Sequence, residues 1–255
     1  MPDYTHPIRP RATRQAFTLI ELLIVVAIIG ILVGIIVPAV GAARSQARSL
    51  QCQTNERNLY TACISYSMDH KGGLPCPSYV GLDPATDPDV AKSVIWATDR
   101  AGVANFNVGC IWKYLGDATT RARIVWCPAD NAEISSVATL PINLDRNISY
   151  SLNANLYIAP GAAPRQKVRR GDIISPGSKI MWWEELSPND GYCLTPTTNN
   201  NDRPTGRHGK IESLPYGAPA YNNAGRGNYC FFDGHIESLS PTEINNTPDF
   251  YSPIK

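Results

Sequence analysis

The sequence predicts an α+β protein in which one long N-terminal helix packs on a loop-rich, antiparallel β-sheet domain. The first observation is an apolar run over residues 17–37, in which Glu21 is the one charge. At about 1.5 Å per residue, this run is long enough to cross the hydrocarbon core of a bilayer. The second observation is the content of 19 Gly and 21 Pro in 255 residues, which predicts many loops and argues against an all-helical fold.

The helix is expected to continue well beyond the apolar run. Apolar residues recur at spacings of three and four as far as about Met68. His70, Lys71 and the two glycines that follow predict its end. Pro38 and Gly41 weaken the helix locally, so we expect it to bend or melt there when it packs against other helices. The residues expected to face the sheet are Cys52, Leu59, Cys63 and Tyr66.

Three segments are candidate strands in the second part of the chain: residues 124–127, 179–183 and 228–239. In the last segment, two β-prone stretches flank Asp233-Gly234, which predicts a hairpin closed by a two-residue turn. We therefore expect residues 71–255 to form one globular domain with an antiparallel sheet laid on the polar half of the helix.

Charge and cysteine content argue against several classes of function. The chain has 23 Lys and Arg against 22 Asp and Glu, so it projects no strong field, and a nucleic-acid partner is not expected. The seven cysteines contain no CxxC pair, which argues against a zinc ribbon or a thioredoxin-type redox site. Their odd number leaves at least one thiol unpaired, and the sequence does not define the pairing of the others.

Glu21 occupies an unfavourable place for a carboxylate. A charge near the centre of a membrane-spanning helix costs about 2.5 to 3.5 kcal/mol on insertion scales, and less near its end. A free α-amino group at Phe17, created by cleavage after Ala16, would lie one helical turn away and could pair with Glu21 in the same helix or a neighbouring one. Such a pair would fix the register between apolar helices. The alternative is a Glu near the interface that reaches into water.

Residues 16–37, which read AFTLIELLIVVAIIGILVGIIV, resemble the cleavage and methylation signature of type IV prepilins and type II secretion pseudopilins. The resemblance implies a membrane peptidase that cuts between Ala16 and Phe17, followed by N-methylation of Phe17. It also implies that Glu21 acts in filament assembly and that the helix bends at Pro38. The family usually has Gly before the cut, where this chain has Ala16.

The same resemblance implies the organisation of the whole chain. Residues 1–16 would be a leader peptide, residues 17–37 the transmembrane half of the helix, residues 38–70 its polar half, and residues 71–255 an extracytoplasmic domain. The protein would cross the inner membrane once, with its domain in the periplasm or on an extracellular filament. Its implied partners are prepilin peptidase, an assembly platform and other pilin-like subunits in a homo- or hetero-oligomer.

Segments of the C-terminal region resemble a large prepilin-like family that is marked by a His followed by an Asp-Gly pair. The family's usual gap between these markers is shorter than the 24 residues between His208 and Asp233 here. The resemblance implies an architecture and no activity. The matching segments are CPAD at 127–130, SYSLN at 149–153, Arg207-His208, and NYCFFDGH at 228–235.

Histidines and carboxylates in the domain are candidate metal ligands. Two His with carboxylates can bind a divalent metal, and oxygen ligands can hold calcium, as in some pseudopilins. The candidates have no compact ligand spacing, so we expect turn and strand roles for them and no metal or cofactor, with calcium as the alternative. No nucleophile motif or phosphate-binding loop is found, so an enzyme is not expected. The candidates are His208, Asp233, His235, Glu184, Glu185 and Asp130.

Three other interpretations remain open at this point. A cleaved secretory signal, with the small residues 41–43 after the apolar run, would release a soluble domain. A signal-anchored module that binds sugar or calcium would never polymerise, and it would have no use for Glu21. A basic cluster could contact DNA, but it lacks interleaved aromatic residues, which favours a solvated loop. That cluster is Arg165, Lys167, Arg169 and Arg170.

Overall fold

The computed structural model describes most of the N-terminal helix and the central elements of the domain. The described residues are 18–76, 109–130, 148–156, 168–184, 192–193, 204, 206–208, 225–247 and 250. Contacts divide the chain into two compact units, residues 1–44 and residues 45–255.

The first element is the helix α1, Leu19–Asp69, which contains 51 residues. It ends as predicted, because the chain leaves the helical conformation at Lys71, with φ of 54°, and Gly72, with φ of 85°. The Gly72 amide donates to the Ser67 carbonyl at 2.8 Å, which satisfies one of the carbonyl groups that a helix end leaves without a partner. The predicted end of the helix near Met68 is therefore confirmed.

Pro38 lies inside α1, and the helix continues without a break on both sides of it. Proline has no amide hydrogen, so the carbonyl of Gly34, four residues earlier, loses its normal helical donor. This local weakness remains the basis for the prediction of a bend at Pro38 when subunits pack.

Within the described residues, the sheet has five strands in the order β3-β1-β2-β4-β5. Neighbouring strands are antiparallel except at one edge, where β3 runs parallel to β1. The predicted α+β fold is confirmed, and the parallel edge pair departs from the predicted antiparallel arrangement. The strands are β1 (Tyr150–Asn153), β2 (Ile180–Glu184), β3 (Tyr192–Cys193), β4 (Gly227–Phe231) and β5 (Ile236–Leu239).

Both faces of the sheet are covered by apolar side chains. The larger cluster joins the sheet to the second half of α1, and the predicted helix stripe of Cys52, Leu59, Cys63 and Tyr66 is buried in it. Because side chains alternate along a strand, the other face holds a separate cluster. That second cluster contains Ile180, Trp183, Tyr229, Phe231 and Ile244, with Leu239 and Phe250 packed against it.

The β4–β5 hairpin is confirmed, but its predicted two-residue turn is wrong. The Phe231 amide donates to the His235 carbonyl at 2.9 Å, so residues 232–234 form a three-residue loop. Gly234 has φ of 93°, and its amide donates to the Phe231 carbonyl at 2.9 Å. A left-handed glycine in this place adds one residue to the turn as a bulge, which is the usual geometry of three-residue hairpin loops.

The strand predicted at residues 124–127 is wrong. Ile124 is the last residue of a short helix, α2 (Ala118–Ile124), whose first turn is capped by the Asp117 side chain at 2.7 Å from the Thr120 amide. The Asp117 cap starts a helix that continues through Ile124, so the first residue of the predicted strand is helical. A third helix, α3 (Pro241–Asn245), follows β5 and begins with a capping box of Ser240 and Glu243.

We predict that Gly234→Ala lowers the free energy of unfolding by about 1 to 3 kcal/mol, the range for a non-glycine residue held in a left-handed conformation. A Cβ at this position would also lie 2.6 Å from Cε1 of Tyr60, which is closer than van der Waals contact. Urea unfolding of the full chain in detergent, followed by tryptophan fluorescence, measures the change. Gly171→Ala is the matched control, because a Cβ there meets no atom within 4 Å. Equal stability of the two variants would contradict the turn geometry.

Candidate functional site

The first part of α1 exposes a continuous apolar surface. Its large apolar side chains between Leu19 and Val37 are exposed by 46 to 83%. Each would gain about 1.5 to 3 kcal/mol from full transfer out of water, so the segment requires lipid or protein around it. Among the described residues, α1 is the one helix that is long and apolar enough to cross a membrane.

Glu21 forms a capping box with Thr18 at the start of α1. Its Oε2 accepts hydrogen bonds from the backbone amide and the hydroxyl of Thr18, both at 2.8 Å. In return, the Glu21 amide donates to the Thr18 hydroxyl oxygen at 3.3 Å. Sequence reasoning missed this local role, although Thr-x-x-Glu before an apolar run is a recognised signal.

The predicted cleavage residues Ala16 and Phe17 lie outside the described residues. Phe17 is nevertheless bonded to Thr18, whose amide nitrogen is 2.8 Å from the Glu21 carboxylate. An α-amino group at Phe17 would be three covalent bonds from that nitrogen. The Glu21 carboxylate is therefore close to the place where cleavage would create a positive charge.

The domain contains a second candidate site, a buried group of four side chains that we call the Cys-Glu-His cluster: Cys52, Cys127, Glu184 and His208. Cys52 on α1 and Cys127, which follows α2, form a disulfide with a Cα–Cα distance of 5.3 Å. The bond ties the long helix to the domain. The sequence did not define this pairing.

Glu184 and His208 complete the Cys-Glu-His cluster. Glu184 ends β2, where alternation puts its side chain on the same face as that of Trp182, toward α1. The backbone of His208 exchanges two hydrogen bonds with Arg226, at 2.9 and 2.7 Å, which holds the residue beside β4. His208 Nε2 lies 2.7 Å from Glu184 Oε1, and both side chains are buried. His208 lies outside the five strands, and its side chain is buried in the core.

The sulfur of Cys127 contacts both of these side chains. It lies 3.7 Å from Glu184 Oε1 and 3.8 Å from His208 Nε2. One possible ligand atom from each of the four residues lies within 4.8 Å of the others. Sulfur, imidazole nitrogen and carboxylate oxygen are the ligands that zinc takes in proteins.

A buried ion pair supports the position of Cys127. Arg207 Nη1 lies 2.7 Å from Asp130 Oδ2, which also accepts a 2.7 Å hydrogen bond from the Ser149 hydroxyl. The Ser149 hydroxyl in turn accepts a hydrogen bond from the Cys127 amide at 3.0 Å. Asp130, one of the predicted candidate ligands, therefore orients the segment around Cys127 and is absent from the cluster itself.

Glu56 is the most unusual carboxyl group near this site. Among the described residues, neither of its carboxyl oxygens has a hydrogen-bond partner, although both are buried. Burial, followed by the negative charge of Glu184, raises the pKa of Glu56 well above its usual value. The folded domain therefore keeps this proton to a higher pH than the unfolded chain does.

We predict that Glu56→Gln makes the domain more stable at pH 8 and leaves its stability unchanged at about pH 4. Above the ordinary pKa of 4.5, the unfolded Glu56 releases a proton that the folded chain keeps. Stability must then fall with rising pH, by at most about 1.4 kcal/mol per pH unit, until the folded pKa is reached. Glutamine has the same shape and does not ionise. Urea unfolding at both pH values measures the difference, with the Cys52–Cys127 disulfide intact and EDTA present. Glu237→Gln is the control, because the Glu237 side chain is exposed.

The other predicted candidates lie apart from the cluster. Asp233 accepts hydrogen bonds at the hairpin turn from the amide and the ring of His235, and both side chains are partly exposed. Asp233 and His208 therefore have different partners. Glu185 lies outside the described residues. In the basic cluster, Arg169 and Arg170 are exposed, whereas Arg165 and Lys167 lie outside the described residues.

Residues 11–37 match the family model of the prokaryotic N-terminal methylation motif. The match covers the predicted cut, Glu21 and the apolar run, and it supports a prepilin-like N-terminus. The motif is consistent with a prepilin-like subunit, and α1 fits a single-pass membrane anchor by its length and composition. No curated protein and no solved structure matches the chain.

Proposed function

We propose that this protein is a pilin-like subunit that is stored in the inner membrane, processed by prepilin peptidase and assembled through α1 into a type IV pilus or a type II secretion pseudopilus. The observation that carries the proposal is the position of Glu21. It is the one charge in residues 17–37, and it lies within the matched methylation motif.

The chemistry of the helix supports assembly. Cleavage after Ala16 exposes an amine at Phe17 beside the Glu21 carboxylate. When another subunit is added, the Glu21 carboxylate of one chain pairs with the Phe17 amine of its neighbour, since both charges are otherwise left in an apolar environment. The pair adds little net stability, but a misplaced register would leave both charges unpaired.

The disulfide supports a location outside the cytoplasm. Disulfide bonds persist in the periplasm and on the cell surface and are rare in the cytosol. The Cys52–Cys127 bond lies in the domain, after the membrane-spanning part of α1. This arrangement agrees with a chain whose C-terminal domain faces the periplasm or covers a filament.

The mature N-terminus tests the proposal. Mass spectrometry of protein purified from membranes of cells with their natural processing enzymes is expected to find a chain that begins with N-methylated Phe17. The matched control is an Ala16→Gly chain, which carries the family's usual residue before the cut and should give the same mature terminus. A wild-type chain that begins near Ala42 would mean a cleaved secretory signal and would refute the proposal.

A further inference from the structure

We propose that the Cys-Glu-His cluster is a zinc site in the reduced form of the chain, with Cys52, Cys127, Glu184 and His208 as its four ligands. The domain would then have two alternative cross-links between α1 and the segment after α2. One is the disulfide, and the other is a Zn²⁺ ion bound by the same two sulfurs. The proposal concerns the folded domain and does not depend on filament assembly.

The distances in the cluster are close to those of a tetrahedral site. Zinc bonds of about 2.3 Å to sulfur and about 2.0 to 2.1 Å to nitrogen or oxygen put neighbouring ligand atoms roughly 3.3 to 3.8 Å apart. Cys127 Sγ already lies 3.7 Å from Glu184 Oε1 and 3.8 Å from His208 Nε2. All four ligand atoms lie within 4.8 Å of one another, and two of the distances between them must grow. The sulfurs would separate by about 1.7 Å after reduction, and the 2.7 Å contact between His208 and Glu184 would lengthen.

A buried carboxylate oxygen without a partner favours a cation at this place. Oε2 of Glu184 is buried and has no hydrogen-bond partner among the described residues. The nearby buried cation Arg207 is paired with Asp130. A divalent ion would therefore neutralise the Glu184 carboxylate, and it would take the place of the direct contact between His208 and Glu184.

Supporting contacts fix the Glu184 side chain. Asn228 Nδ2 lies 3.3 Å from Glu184 Oε1 and donates to it, while Asn228 Oδ1 accepts from Gln53 on α1 at 3.1 Å. Hydrogen bonds of this kind commonly orient the ligands of protein metal sites. Because two of the four ligands are sulfurs, the site favours zinc over calcium, which takes oxygen ligands.

The disulfide and the metal exclude each other. Thiol–disulfide exchange with an external dithiol breaks the Cys52–Cys127 bond, gives two protein thiols and leaves the dithiol as its own disulfide. Binding of one Zn²⁺ then releases two protons from the two thiols, because zinc is bound by thiolates. Exchange of the two zinc-bound thiolates with a small-molecule disulfide reverses both steps: the protein disulfide forms again, the small molecule takes up two protons as a dithiol, and the ion is released.

The test uses the full chain in detergent, made metal-free and either oxidised or reduced with a phosphine that does not bind metal. After incubation with zinc and gel filtration, we expect one zinc per reduced chain and none per oxidised chain. Cobalt substituted for zinc should give the thiolate-to-metal absorption bands of a two-sulfur tetrahedral site in the reduced wild-type chain. Zinc retention by the oxidised chain, or the absence of these bands, would overturn the proposal.

Variants identify the ligands. His208→Asn and Glu184→Gln are each expected to weaken zinc binding by more than about 100-fold in a competition titration. Loss of a residue that only hydrogen-bonds to a metal ligand already lowers metal affinity by about 10- to 100-fold. His235→Asn is the control, because His235 also lies beside carboxylates but is exposed on the hairpin. An equal loss in all three variants, or no loss in the first two, would rule out this site. Near-UV circular dichroism of each metal-free chain shows whether the fold is intact.

Discussion

A Glu21→Gln chain is expected to be cleaved and to stay in the membrane, but to be absent from filaments. Glutamine can take the same place as Glu21 in a capping box, so the start of α1 should be unchanged. The substitution removes the negative charge that pairs with the amine of the neighbouring subunit, and that amine would then be buried without a counter-ion. Immunoblots of sheared filament and membrane fractions measure the result, with an expected loss of at least about tenfold in the filament fraction, equivalent to about 1.4 kcal/mol.

Thr18→Ala separates the two roles of Glu21. This variant removes the hydroxyl that shares the capping box but keeps the carboxylate. Loss of an N-cap costs about 0.5 to 2 kcal/mol of helix stability, and the lipid around α1 should offset it, so Thr18→Ala chains are expected to assemble. If Glu21→Gln assembles as well as the wild type, or if both variants fail equally, Glu21 acts in helix capping alone and its assembly role is wrong.

Loss of the Cys52–Cys127 disulfide is expected to lower the free energy of unfolding by about 4.5 kcal/mol at 25 °C. The bond closes a loop with a sequence separation of 75, and the chain entropy of a loop of this length gives that value. A Cys52→Ala/Cys127→Ala double variant and the wild type would be compared by urea unfolding of the full chain in detergent. EDTA is included so that no metal replaces the disulfide.

The control for this measurement is Cys63→Ala. Cys63 is buried and lies outside the disulfide, so its substitution removes one buried sulfur without removing a cross-link and is expected to cost about 1 kcal/mol. Reduction of the wild-type chain without substitution should reproduce the effect of the double variant. A difference below about 1 kcal/mol between the wild type and the double variant would show that the bond does not restrain the unfolded chain as described.

The N-terminal helix and the hairpin were predictable because their signals are local. The apolar run, the spacing of Leu59, Cys63 and Tyr66, and the glycine stop each lie within a few turns of the residues they control. The helix α3 had a signal of the same kind, the Ser-x-x-Glu box at Ser240, which sequence reasoning overlooked. At residues 124–127, the apolar content suggested a strand, but the cap at Asp117 was the stronger local signal.

The sequence by itself determined the long helix, the one charge of its apolar part at Glu21, and the antiparallel hairpin, since each depends on neighbours in the chain. Only the tertiary structure decided the parallel edge strand, the disulfide and the Cys-Glu-His cluster. The four residues of the Cys-Glu-His cluster come from α1, from the segment after α2, from the end of β2 and from beside β4. Their spacing in the sequence carries no pattern, because packing of the sheet on the helix brings them within 4.8 Å.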